Sequence, residues 1–278
     1  MTTPLVSILM TSHNREEYIA KAIESVLAST YKNFELIVVD DRSTDQTVSI
    51  AQQYASKDGR VKVYENSQNL GDYPNRNKAA SYAKGEYLKY VDADDYIYTW
   101  GLEILVNCME QFPNSGFGLC SLDQNQLQPF PFELTPGEAY RYHYFGPGLF
   151  HKAPLSSIIR RSAFEAVNGF SSIRMAGDYE MWHRLAAKFP IVLMPGGIVW
   201  YRKHSSQEMN HHSKFARVYD QVRLNALNGP LCPLNREEIS SIKQKVIKGY
   251  NRQLLKSMTK LKITAAKEFY AVIKKYKE

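Results

Sequence analysis

In the first hundred residues, short apolar runs alternate with segments whose apolar positions recur every three or four residues. "VSILMTS" (Val6–Ser12), "FELIVVDD" (Phe34–Asp41), "VKVYEN" and "EYLKYVDADD" read as strands. Between them lie three helical patterns: "REEYIAKAIESVLAST", "STDQTVSIAQQYAS" and "RNKAASYAKG". The second is expected to start at a cap on Ser43 or Thr44, and the third to close at Gly85. This order predicts an α/β fold, with a mainly parallel sheet flanked by helices on both faces.

Ligands of such sheets bind beyond the carboxyl ends of the strands. Here those ends are polar: Thr11-Ser12-His13, Asp40-Asp41, and Asp92-Ala93-Asp94-Asp95. Carboxylates this close repel one another, and partial burial adds a desolvation cost. A hard divalent cation, Mn²⁺ or Mg²⁺, removes the repulsion, takes oxygen ligands and shares them with a bound diphosphate. A single Asp at a strand end is more simply a turn or cap residue. Three such ends together favour a site.

Composition limits the alternatives. The chain has 278 residues and is 44% hydrophobic, enough for one large core. No apolar run approaches a membrane span, and no secretory leader is expected at the N-terminus. The three cysteines lack metal-site spacing and suit a reducing compartment. The net charge of +7 is uneven. From Arg236 onward there are 12 Lys/Arg against 4 Glu, and the preceding body is close to neutral. That distribution argues against a general nucleic-acid binder.

Residues 112–150 are rich in Pro, Gly and aromatics and read as irregular. "SSIIRRSAFEAVNGF" follows as a strand, a turn and a short helix ending at Gly169, then a helix in "GDYEMWHRLAAKF" and a strand-like run to His204. From Glu237 a stripe continues through Ile239, Ile242, Val246, Tyr250, Leu254, Met258, Leu261, Ala265, Phe269, Val272 and Tyr276, with lysines on the other faces. It predicts one or two amphipathic helices. They either pack on the body, lie on an anionic membrane surface, or bind a protein.

Three ordered stretches, "VSILMTSHNREEYIAKAIESVLASTYKNFELIVVDDRSTDQT", "NLGDYPNRNKAASYAKGEYLKYVDADD" and "GDYEMW", resemble the inverting family-2 nucleotide-sugar glycosyltransferases of the GT-A fold. The resemblance covers about residues 4–205. It implies a Rossmann-like GT-A sheet with a C-terminal helical extension. Residues 1–100 would form the nucleotide-sugar half, 101–210 the acceptor half and 211–278 the basic tail.

Site roles follow from the same resemblance. Thr11, His13 and Arg15 occupy the loop that cradles base and ribose, and Asp41 the position that reads the base. Many relatives carry Tyr or Phe where this chain has His13. Asn69, Gly71 and Arg76 fall in the "N-G…R-N" segment. Arg76 either offsets phosphate charge or simply pairs with a nearby Asp. Asp92 and Asp94 match the Asp-x-Asp pair: Asp94 is the expected metal ligand and Asp92 serves ribose or metal, with Asp95 in reserve. Asp178 matches the general base. Its competing reading is a helix N-cap, and Gly177 stands where relatives carry Glu. Glu180 is a weaker base candidate. Trp182 is read either as a sugar-stacking ring or as core. His204 is read as a further metal contact or a surface histidine, with His211 and His212 nearby in sequence.

The implied activity is metal-dependent transfer of a sugar from a nucleoside-diphosphate donor, UDP-linked in expectation, to a saccharide or lipid-linked saccharide. Bacterial surface polysaccharide assembly is the implied setting, in the cytoplasm or on the inner membrane face, without nucleic acid. Two rival readings fit the sequence less well. A nucleotidyltransferase on a similar sheet normally opens with a glycine-rich loop, and "TSHNREEY" has no glycine. A non-catalytic protein binding nucleic acid through the tail lacks a recognisable nucleic-acid fold motif there, and the carboxylate edge would repel phosphate unless metal were present.

Overall fold

A computed structural model describes residues 3–204, 215–259 and 263–277. His211 and His212 lie outside them. The predicted alternation is present in order: β1 (Val6–Ser12), α1 (Ile19–Leu27), β2 (Phe34–Asp40), α2 (Thr47–Ala55), β3 (Val61–Glu65), α3 (Asp72–Ser81) and β4 (Tyr87–Tyr90). After it come β5 (Tyr96–Ile97), α4 (Gly101–Glu110), β6 (Phe117–Leu122), β7 (Phe132–Leu134), α5 (Pro136–Phe145), β8 (Ser157–Arg160), α6 (Arg161–Ala166), α7 (Gly177–Lys188), β9 (Ile191–Pro195) and β10 (Val199–Trp200). Three helices complete the described chain: α8 (Ala216–Asn228), α9 (Arg236–Thr259) and α10 (Ile263–Lys277).

The main sheet has the order β3-β2-β1-β4-β8-β6-β9-β7. The pairings β3–β2, β2–β1, β1–β4 and β6–β9 are parallel, and those around β8 and β7 are antiparallel. Both faces are covered, which explains the unbroken apolar runs. Along β2, Leu36 and Val38 enter one core and Ile37 and Val39 the other. From β1 the chain order proceeds to β2 and β3 on one side, while β4 joins on the other. That reversal opens a crevice at the carboxyl ends of β1 and β4.

Several local expectations are corrected. Residues 112–150 are not irregular throughout, since they supply β6, β7 and α5. Gly118 lets β6 pass under Met194, whose Cε lies 2.3 Å from where a Cβ would stand. Helix α5 begins at a capping box, Thr135 with Glu138, and has Pro136 in its first turn. Neither Ser43 nor Thr44 caps α2. Their N–H groups are taken by Asp40 Oδ1 (2.6 Å) and Asn14 Oδ1 (2.9 Å), and the helix starts at Thr47. Gly85 does not close α3, which ends at Ser81. It permits close approach instead, as a Cβ there would lie 2.5 Å from Ser7 N. Gly169 does stand just past α6 with φ 63°, as expected of a left-handed terminal glycine.

The tail forms two helices packed together and against α8. Leu224, Val272 and Tyr276 form a small core with Val246, Ile247 and Tyr250, and Ile242 reaches the main core. Asp220 on α8 accepts hydrogen bonds from Tyr250 and Tyr276. The packed reading therefore holds for this part of the stripe. Leu255, Met258 and Tyr270 remain exposed.

Candidate active site

Two adjacent aspartates at the end of β2 organise the loops. Asp40 is sealed from solvent and accepts from Ser12 Oγ (2.8 Å), Ser43 N and Ser43 Oγ (both 2.6 Å), fastening the first loop to the second. Asp41 accepts from Leu70 N (2.7 Å), Gly71 N (2.8 Å) and Asn66 Nδ2 (2.9 Å). An ionised carboxylate has about four lone-pair positions, so one is left for a ligand N–H. His13 Nδ1 lies 3.0 Å from Asp41 O, and Asn69 Nδ2 donates to the same carbonyl at 3.2 Å. Gly71, with φ 84°, turns the chain into α3 in a conformation that disfavours a side chain.

The acidic turn after β4 carries its own cations. Arg76 grips Asp92 through a two-pronged contact, both arms at 2.7 Å, and donates Nε to Asp72 at 2.8 Å. Its guanidinium is buried, so the pairing reading of Arg76 describes its state here. Thr11 Oγ1 donates to Asp92 at 3.2 Å. Asp94 Oδ2 receives Arg15 Nε at 2.8 Å and faces His204 Nε2 at 3.1 Å. Asp95 is buried and accepts from Arg202 N at 3.0 Å, which ties residues 201–204 to the turn. Burial, and then the charges of Asp92 and Asp94, push its carboxyl up to about 8.

Asp178 stands on the first turn of α7. It is not the N-cap, which is Ala176. Its Oδ1 accepts from Tyr179 N (2.7 Å) and from the Tyr73 hydroxyl (3.2 Å). Burial pushes its carboxyl up to about 6, against the downward pull of the Tyr179 N–H, while Asp72 adds to the rise. Gly177 touches the Tyr73 ring. A Cβ there would lie 2.7 Å from Tyr73 Cδ2, so the glycine that replaces the family's Glu is the residue that lets Tyr73 reach Asp178.

Glu180 is committed elsewhere, to Arg184 (2.5 Å) and Ser171 Oγ (2.8 Å). Trp182 is fully buried against Phe117 and donates its indole N–H to Lys152 O at 2.7 Å. It is core and cannot stack on a sugar, which corrects that expectation.

A cleft of about 490 Å³ lies over these loops. Thr11, His13, Arg15, Asp41, Asn69, Gly71, Arg76, Asp92, Asp94 and Asp95 all line it. Ser12, Asp72, Asn75 and Tyr201 also line it and were not anticipated, and neither was Tyr73. "GDYPN" carries no signal for Asp72, Tyr73 and Asn75 beyond its position next to "R-N", while Ser12 sits in the polar end of the first strand. Among the described residues, no group of three or more His, Cys, Asp or Glu is arranged to hold a metal ion by itself. Asp92 has both oxygens in the Arg76 fork. Both contacts of Asp94 fall on Oδ2, leaving Oδ1 for a ligand, with the His204 imidazole beside it.

Residues 7–167 match the family model described as Glycosyl transferase family 2. A Bacillus subtilis protein named as a teichuronic acid biosynthesis glycosyltransferase, TuaG, is 35% identical over 150 residues, 51% of this chain and 60% of its own. The chain spans 53–66% of the length of the first curated relatives that it matches. Among solved structures, S. aureus TarS in complex with UDP superposes with a TM-score of 0.64 at 21% identity, covering 85% of this chain and 69% of that one. The mannosyltransferase PcManGT from Pyrobaculum calidifontis, in complex with GDP-Man and Mn²⁺, gives 0.60 at 15% identity, covering 99% and 86%. The mainly parallel sheet flanked by helices matches the GT-A fold of these neighbours, and with more than half of its length matched by the family model, the chain belongs to glycosyl transferase family 2.

Proposed function

We propose that the protein is a metal-dependent, inverting glycosyltransferase that moves a sugar from a nucleoside-diphosphate donor, UDP-linked, to a hydroxyl of a saccharide or lipid-linked saccharide. The observation that carries this reading is the convergence of Thr11, Asp41, Arg76, Asp92 and Asp94 on one cleft, with Asp178 joined to α3 of that cleft through Tyr73. TarS binds UDP and PcManGT binds GDP-Man with Mn²⁺, and a donor of this class suits the cleft's volume and polar lining.

Asp41, with one lone pair free, takes an imide N–H of the base. His13 and Asn69 bound the base pocket, and Thr11 and Asp92 meet the ribose. Asp94 Oδ1 and His204 suit Mn²⁺, which accepts oxygen and imidazole together. Oxygens of the donor diphosphate would help hold such an ion beside these two residues. When bound, the ion neutralises charge on the departing diphosphate. Asp178 takes the proton from the acceptor hydroxyl while that oxygen forms its bond to the anomeric carbon. The bond from that carbon to the diphosphate oxygen breaks on the opposite face, and its electron pair leaves with the nucleoside diphosphate. A carboxyl poised near 6 is ionised at neutral pH yet basic enough to accept the proton.

In this reading residues 1–100 hold the donor, 101–210 receive the acceptor, and the basic tail bears on an anionic inner membrane surface. No helix among the described residues is long and apolar enough to cross a membrane. Names such as TuaG's place relatives in polysaccharide biosynthesis, and we infer the same setting here. A panel of nucleotide sugars with Mn²⁺, followed by thermal stabilisation and by release of nucleoside diphosphate, tests the reading. A donor that binds only the folded chain raises its melting temperature by mass action. No hit across UDP-, GDP-, CMP- and dTDP-sugars would sink it.

A further inference from the structure

The small second sheet, β5 with β10, is built the wrong way round for a solvated ribbon. Its inner face is satisfied: Ile97 and Val199 are register partners and pack into the core. The outer face of such a ribbon is normally polar. Here Tyr96 and Trp200 are register partners and so share that outer face. Tyr98 follows two positions on, and Trp100 ends the row. The Tyr96 and Tyr98 rings meet edge to face at 5.6 Å, and Tyr98 stacks on Trp100 at 5.3 Å with 3° between planes. Trp100 is 49% exposed, Trp200 45% and Tyr201 39%.

These rings are held in place. Trp100 Nε1 donates to Gly197 O at 3.1 Å, and Tyr98 N donates to Ile198 O at 3.1 Å. The Arg202 guanidinium lies over Trp200 at 4.9 Å and over Tyr18 at 5.1 Å, while its backbone and Nε bind Asp95 Oδ1 and Asp94 O. Tyr201, between Trp200 and Arg202, lines the donor cleft. The ribbon is therefore tied to the cleft through Tyr201 and to the acidic turn through Arg202.

We propose that the outer face of this ribbon, Trp100 and Trp200 with Tyr98 behind Trp100, is a subsite for the acceptor saccharide. The proposal rests on the transferase reading, extends it to the acceptor, and moves the start of the acceptor half back from 101 to Tyr96. One face of a sugar ring presents C–H bonds of slight positive charge, which match the negative face of an aromatic ring, while its rim of hydroxyls stays in water. Rigid, pre-stacked rings receive such a ligand with little ordering cost. Trp100 is covered on one face by Tyr98, so its exposure belongs to the other face, free for a sugar. The patch is also aromatic only. Among the described residues the exposed large aliphatic side chains, Leu127, Leu231, Leu255 and Met258, all lie elsewhere in the chain.

The chain's three tryptophans make the test direct, because Trp182 is sealed in the core and only Trp100 and Trp200 sit on the ribbon. The full chain is titrated with chitotetraose, cellotetraose and mannotetraose, following tryptophan fluorescence and saturation-transfer NMR. A saturable response to at least one of them is expected. Trp100→Ala and Trp200→Ala should each weaken it by roughly tenfold, the worth of one stacking contact. Trp100→Phe should retain part of it, which separates stacking from misfolding. Unchanged melting of the variants confirms an intact ribbon. UDP binding with Mn²⁺, measured by calorimetry on the same samples, tests the donor reading separately. No saturable response to any of the three overturns the subsite. So does a response confined to phosphatidylglycerol vesicles, which assigns the face to a bilayer. Self-association abolished by the tryptophan variants would assign it to a second copy and overturn it equally.

Discussion

Tyr73 and Asp178, 105 positions apart in the chain, share a hydrogen bond of 3.2 Å from the phenol to Oδ1. It joins the helix beside the donor cleft to the helix that carries the proposed base. A phenol donating to a carboxylate favours the ionised form. Tyr73→Phe removes that donor while keeping the ring against Gly177. The Asp178 carboxyl should then rise above about 6, and the acid limb of the pH profile for kcat should move up with it. Other groups facing this carboxyl are Asp72 and Arg76 from α3 and Tyr219 from α8, and the variant leaves them in place. Donor affinity should not change. A pH profile that superimposes on the parent's would remove Tyr73 from this role, and carboxyl-carbon NMR of labelled aspartate reads the same shift without turnover.

Asp178→Asn should separate activity from stability. Transfer should fall by roughly 10²–10⁴, the usual worth of a general base. Stability should move the other way. Asp178 titrates higher folded than unfolded, so its contribution is full below the unfolded value and is lost as pH rises through about 6. At neutral pH the native state therefore carries a penalised charge, and the amide should raise stability by roughly 1–3 kcal/mol. Thermal melts at pH 7.5 and pH 5 test this, since the gain should shrink at the lower pH. Near-normal transfer by the variant would place the base elsewhere.

The two aspartates of the Asp-x-Asp pair should behave differently. Asp92→Asn leaves the buried Arg76 without its bidentate partner and should destabilise the fold by roughly 3–5 kcal/mol, lessened by what Asp72 still provides. Asp94→Asn leaves more of the scaffold intact, because Arg15 also donates to His13 O and Asn14 O. It should abolish Mn²⁺-dependent nucleoside diphosphate binding in calorimetry with a smaller loss in urea unfolding. Equal stability losses with undisturbed metal-dependent binding would refute that division.

Acid should loosen the second half of the molecule. His143 and His183 are buried and neutral: His183 Nδ1 lies 2.7 Å from Tyr179 O, Tyr144 OH lies 2.8 Å from His183 Nε2, and the N–H groups of Leu149 and Phe150 point at His143 Nδ1. Burial lowers both, His183 to about 3. A group depressed on folding contributes stability above its unfolded pKa of about 6.5 that is lost as pH falls below it. The histidine contribution to the unfolding free energy should decline by up to about 1.4 kcal/mol per pH unit per histidine below that point, offset in part by Asp95 and Asp178, whose raised carboxyls gain stability as pH falls. His183→Gln should flatten the decline. Protonation of either ring between pH 7 and 5, read by NMR of the histidine rings, would contradict the neutral assignment.

Removal of the tail should cost stability as well as location. A chain ending at Leu234 uncovers Leu224 and leaves the buried Asp220 without the Tyr250 and Tyr276 hydroxyls. Its melting temperature should drop. Full-length protein should also bind phosphatidylglycerol vesicles at low salt and release them at high salt, since attraction of about 1 kcal/mol per basic residue is screened. Absence of binding at low salt would leave the tail with a packing role and a protein partner.

The alternation of the first hundred residues determined the parallel half of the sheet, and with it the edge where Thr11, Asp41, Asp92 and Asp94 meet. Strand and helix periods are local properties, and the carboxyl end of a parallel strand is fixed by chain direction alone. The tail's helices were legible for the same reason. The use of each side chain was not, because it depends on partners far away in sequence. Only the fold showed that Arg76 already holds Asp92, that Glu180 belongs to Arg184, and that Trp182 fills the core while Trp100 and Trp200 face outward. The strands of residues 112–150 were hidden because Gly118 interrupts β6 and because β7, with three residues, is too short to show an alternation. Tyr73 likewise gained its role from a glycine 104 positions later, since the space that it fills exists only once α3 and α7 are packed together.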